Sequence, residues 1–201
     1  MENSFDKNGL SVEKSLEIIS EAINNSQRDF QRRAGTAMTI WGAAVMLASG
    51  IVMLGIALTG NPMWNIAWFL IPVIGWPLDK LSTKHIGHSS GSGENFISKT
   101  MGIVWIIYGV FAVATSIMAF FIPIPIIGII ILLLGMGGAI TGALAKNRLI
   151  TVLGIISGIA GLPCAYLLDS PVYTPLLLTA AALMNLVIPG LIFNRQNRKL
   201  Q

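Results

Sequence analysis

The stretch AMTIWGAAVMLASGIVMLGIAL, residues 37–58, contains no charged side chain and no proline. An α-helix rises about 1.5 Å per residue and a bilayer hydrocarbon core is about 30 Å thick, so roughly 20 apolar residues cross it once. This run is long enough. It stops at Thr59-Gly60-Asn61-Pro62, a sequence that suits a turn.

Five further apolar runs follow, over residues 63–78, 100–121, 124–145, 149–168 and 173–193. The run at 63–78 is short and holds Pro72 and Pro77, so it needs a kink or local thinning of the bilayer to cross. Ile122-Pro123-Ile124-Pro125 divides the third run from the fourth, because closely spaced prolines interrupt a helix. The expected fold is therefore all-α. It is a polytopic membrane protein with six transmembrane helices arranged as three hairpins, preceded by an N-terminal cytoplasmic amphipathic helix.

Composition agrees. Of 201 residues, 54% are apolar and 11% charged, about half the charge of an ordinary soluble domain. The excess of 13 Lys and Arg over 9 Asp and Glu would suit a polyanion, but these charges fall in short blocks beside apolar runs. Such blocks orient spans, and no nucleic-acid partner is expected. With the N-terminus placed in the cytoplasm, every Lys and Arg lies on the cytoplasmic side, in residues 1–36, 79–99, 146–148 and 194–201. That separation follows the positive-inside rule and argues for the weak second span. It implies a multi-pass protein of the bacterial inner membrane with both termini cytoplasmic.

Three regions follow: residues 1–36, an amphipathic helix and juxtamembrane segment; 37–193, the membrane domain with a flexible cytoplasmic loop at 79–99; and 194–201, a basic tail. Within the first, Val12, Leu16, Ile19 and Ile23 recur at helical spacing, while Glu13, Glu17 and Glu21 take another face. Ser11 suits an N-cap. The apolar stripe reads either as packing on its own bundle or as docking to a cytosolic protein or a second copy.

The membrane runs hold no central Asp, Glu, Lys, Arg or His, which argues against proton- or ion-coupled transport. Their polar side chains include Asn65, Tyr108, Thr115, Ser116, Thr141, Ser157 and Asn185. Asn185 lies nearest the middle of a run, where its amide needs partners; an interhelical hydrogen bond is expected. Gly138 and Gly142, and Gly154 and Gly158, have GxxxG spacing, which lets helix backbones approach closely, within one chain or between two. His85 and His88 supply half of a four-ligand zinc set, and Cys164 stands alone, so no metal or other cofactor is expected.

The N-terminal KSLEIISEAI of residues 14–23, then Arg28-Asp29-Phe30, Ala34-Gly35-Thr36 and Trp41-Gly42, resembles small uncharacterised polytopic membrane proteins of Bacteroidota. The resemblance implies a bacterial inner membrane location and carries no reaction or ligand. The functional expectation is a non-enzymatic membrane scaffold or regulatory protein that docks a partner or another copy through its N-terminal helix. The alternative is a small-solute transporter or channel without an intramembrane ionisable coupling residue. Expected partners are membrane lipid and a cytoplasmic protein or a second copy.

Overall fold

The computed structural model describes residues 12–90, 96–119, 121–168 and 170–198. The first element, α1, is a single helix over Val12–Thr59, 48 residues long. Nothing in residues 12–34 breaks it, since neither glycine nor proline occurs there. Gly35 and Gly42 do not end it either, because both are buried where another helix leans on them. At the far end Gly60 takes φ +65, a left-handed turn that glycine adopts at little cost.

This continuity corrects the expected N-terminal architecture. The stripe-bearing segment is not a separate cytoplasmic amphipathic helix; it is the start of the first membrane-spanning helix. The sidedness inferred from the distribution of Lys and Arg falls with it, because the N-terminal helix is itself long and apolar enough to span the membrane. The expected placement of both termini in the cytoplasm of the bacterial inner membrane does not hold, although the chain is a multi-pass membrane protein.

The number of spans is corrected as well. Five helices among the described residues are long and apolar enough to cross a membrane: Val12–Thr59, Ile97–Met118, Ile126–Leu144, Arg148–Leu167 and Tyr173–Gln196. The expected second span is instead divided between a 3-10 helix, Pro62–Phe69, and α2, Leu70–Ser90. Asn61 caps the 3-10 turn by accepting the Met63 N–H at 2.9 Å, and Pro62 takes the first position, where no N–H is needed. Pro72 falls in the first turn of α2 for the same reason, while Pro77 lies inside it. Helix α2 also runs through residues 79–90, the first part of the expected flexible loop. Ser11 and residues 91–95 lie outside the described residues, as do the side chains of His85 and His88.

The remaining elements are α3 (Phe96–Met118), α4 (Ile126–Leu144), α5 (Arg148–Leu167), α6 (Tyr173–Ala182) and α7 (Ile188–Arg198). A π-helical turn, Leu183–Val187, joins α6 to α7. The most extensive helix pair is α4 with α5, and α1 packs along α6 and α7 and against α2. The expected hairpins had paired the third run with the fourth and the fifth with the sixth. The structure joins α4 and α5 most closely, because glycines on both facing surfaces let the two backbones approach.

Phe30, Met38, Val45, Ile131, Leu134, Ile150, Leu178, Ala182, Leu186 and Phe193 form the buried core. Helix α3 leans on this core through Met101, Val104, Trp105 and Tyr108, and leaves most of its surface outward. In lipid such a bundle is held by close packing and hydrogen bonds, since lipid tails are as apolar as the helix faces.

Candidate functional site

Asn185 lies in the π-helical turn and is 1% exposed. Its amide nitrogen donates to the Ala181 carbonyl at 2.9 Å, and its oxygen accepts from the Ser157 hydroxyl of α5 at 2.9 Å. Gly138 of α4 makes room: a Cβ there would stand 2.8 Å from the Asn185 oxygen. Three elements thus meet at one polar knot in the middle of the membrane region. The widened turn has a local cause. Pro189 has no N–H to return to the Asn185 carbonyl, and the Ile188 N–H reaches five residues back to Leu183. Thr141, also buried, donates to the Gly137 carbonyl of its own helix at 2.7 Å.

The four glycines singled out from spacing divide between two contacts. A Cβ on Gly142 would stand 2.8 Å from the Thr151 hydroxyl oxygen and 2.9 Å from the Ile150 carbonyl carbon. One on Gly154 would meet the Ala139 Cα and the Gly135 carbonyl, both at 2.8 Å, and one on Gly158 would lie 3.2 Å from the Gly135 Cα. These three form the α4–α5 seam, whereas Gly138 turns to Asn185. Gly128 and Gly135 of α4 also face α5 across the seam, and spacing did not single them out because neither has a glycine four residues away.

A second close approach, also unforeseen, joins α1 to α7. A Cβ on Gly35 would stand 2.7 Å from the Asn194 side-chain oxygen, and one on Gly190 2.9 Å from the Gly35 carbonyl. The one available signal was the spacing of Gly35 and Gly42, two helical turns apart on one face of α1.

At the charged end of the bundle, the α4–α5 turn is tied to α1. The Asn147 N–H bonds the Gly142 carbonyl at 2.8 Å and the Lys146 N–H bonds that of Ala143 at 3.0 Å, a Schellman closure with Lys146 at φ 55. The Ala145 carbonyl accepts from the Gln27 side chain at 3.3 Å. About four turns further along α1, Trp41 stacks over Gly75 of α2, whose Cβ would stand 2.8 Å from the indole ring. The same indole hydrogen-bonds the Asp79 carboxylate. Burial holds the Asp79 carboxyl above its ordinary pKa, and the Trp41 hydrogen bond opposes that shift. Lys80 sits 4.7 Å over the Trp76 ring, a cation–π contact.

No family model, curated protein or solved structure matches this chain.

Val12, Leu16, Ile19 and Ile23 are not gathered into the bundle. Between 55% and 77% of each is exposed. Their helical positions align with Phe30 and Ala34 further along α1, and Phe30 is fully buried. One apolar face of α1 therefore packs on its own chain from Phe30 onward and stands open before it. Among the described residues, no group of three or more His, Cys, Asp or Glu side chains is placed to hold a metal.

Proposed function

We propose that this helical membrane protein is a non-enzymatic scaffold or regulatory protein that docks a partner protein, or another copy, through Val12, Leu16, Ile19 and Ile23. The observation that carries the reading is the exposure of that stripe on a helix continuous with the first membrane span. A 48-residue helix is about 72 Å long, more than twice the hydrocarbon thickness. Its apolar stretch begins near residue 37, so about 25 residues extend beyond the lipid tails on the same axis. A free amphipathic helix can lie down in the interface; one collinear with a span cannot. A protein surface is then the natural cover for four exposed aliphatic side chains.

The polar knot at Asn185 gives no comparable support to solute transport, because Asn185 and Ser157 bond each other and their own helices.

A photo-crosslinking residue at Leu16, with a second at Glu21 on another face, tests the docking reading in native membranes. A discrete protein adduct from position 16, absent from position 21 and lost when Ile19 and Ile23 are changed to Gln, is the expected result. Adducts of equal yield from both faces, or an adduct that survives the Gln changes with the bundle intact, would contradict it.

A further inference from the structure

A groove of about 340 Å³ lies at the end of the α4–α5 hairpin, lined by Gly142, Ala143, Lys146, Arg148, Thr151 and Val152. We propose that it binds an anionic phospholipid, the headgroup phosphate held by Lys146 and Arg148 and an acyl chain laid along α5. The inference is independent of the docking stripe on α1.

Position comes first. Helices α4 and α5 are both long and apolar enough to cross the membrane, and the groove sits at the turn between them. A turn joining two spans lies at the depth where lipid headgroups begin. Charge comes second. Lys146 and Arg148 are both exposed at the groove, and residues 126–168 include no Asp or Glu. A guanidinium offers paired donors that match two phosphate oxygens, and an ammonium beside it adds a second positive charge.

The apolar wall comes third. Below the two cations Ala143 and Val152 are exposed, and Val152 begins a strip with Ile155, Ile156 and Ile159 on one face of α5. A free phosphate would use the cations and leave this strip unused; a phospholipid uses both. That continuity between a cationic mouth and an apolar track selects the lipid.

Lys146 also provides a clean way to test the site. It occupies the left-handed position of the Schellman turn, where glycine is the easier residue. Lys146→Gly therefore removes the cation while relaxing the backbone.

The full chain, purified in detergent, is offered an equimolar mixture of phosphatidylglycerol and phosphatidylcholine, and bound lipid is read by native mass spectrometry. Wild type should retain phosphatidylglycerol preferentially. Each cation removed, by Lys146→Gly or Arg148→Gln, should weaken that preference about fivefold, near the effect of one basic residue at an anionic membrane surface. Lys146→Gly should do so with no loss of thermal stability, and Lys99→Gln, an exposed cation outside the groove, should leave the preference unchanged. An unaltered preference in the double variant Lys146→Gly/Arg148→Gln would overturn the proposal. So would an equal loss in Lys99→Gln, or complete displacement of the lipid by inorganic phosphate.

Discussion

Asn185 donates to the Ala181 carbonyl and accepts from Ser157, and each contact can be removed alone. Hydrogen bonds between membrane helices contribute about 0.6 kcal/mol on average and up to about 1.7. A double-mutant cycle of Asn185→Ala and Ser157→Ala, followed by reversible unfolding in detergent, should give a coupling energy within about that range. A coupling near zero would mean that the two side chains do not meet. Asp79 makes a prediction of different sign from most carboxylates. Its folded pKa is raised, so its protonated form favours the docked α2, and stability falls as pH rises through the folded value. Asp79→Asn should flatten that dependence and be no less stable than wild type at neutral pH, because the amide oxygen still accepts from Trp41. Trp41→Phe should lose stability at every pH. Asn185 was recognisable from sequence by its place mid-run, but its partner was not, since only the fold brings residues 157 and 185 together.

Among the elements, the α4–α5 pair gives the sharpest contrast between two glycines. Gly154→Ala drives a methyl into the Ala139 backbone and the Gly135 carbonyl, where neither side can yield without separating the helices. A loss of about 1–3 kcal/mol is expected, the usual scale for overpacking. Gly102→Ala on α3 meets nothing within 4 Å and should be neutral or stabilising by up to about 1 kcal/mol in thermal unfolding. Equal losses at both positions would refute the seam. GxxxG spacing pointed to Gly138, Gly142, Gly154 and Gly158 as packing positions, but not to Gly138 facing Asn185 while the other three line the α4–α5 seam, because spacing gives one helix's face and not which neighbour occupies it. The second run failed for a related reason. Its apolar content was legible, but the ability of Pro62 and Pro72 to begin two different helical segments was not.

On the scale of the whole molecule, hydropathy was enough to identify a helical membrane bundle. It could not show where polar helix stops and membrane helix starts, because a change of composition near residue 36 is not a change of backbone. Asn24 to Arg33 are polar apart from Phe30, yet all are compatible with helix, and α1 passes through them unbroken. That continuity turns an interfacial helix into a rigid extension of a span and underlies the docking reading. It can be measured directly. With Cys164 replaced by Ala, spin labels at Ile19 and Leu47, both exposed on α1, report one distance by pulsed dipolar spectroscopy. An unbroken helix requires a narrow distribution near about 42 Å, at 1.5 Å per residue. A broad distribution centred well below that distance would show a hinge before the membrane span and contradict the account.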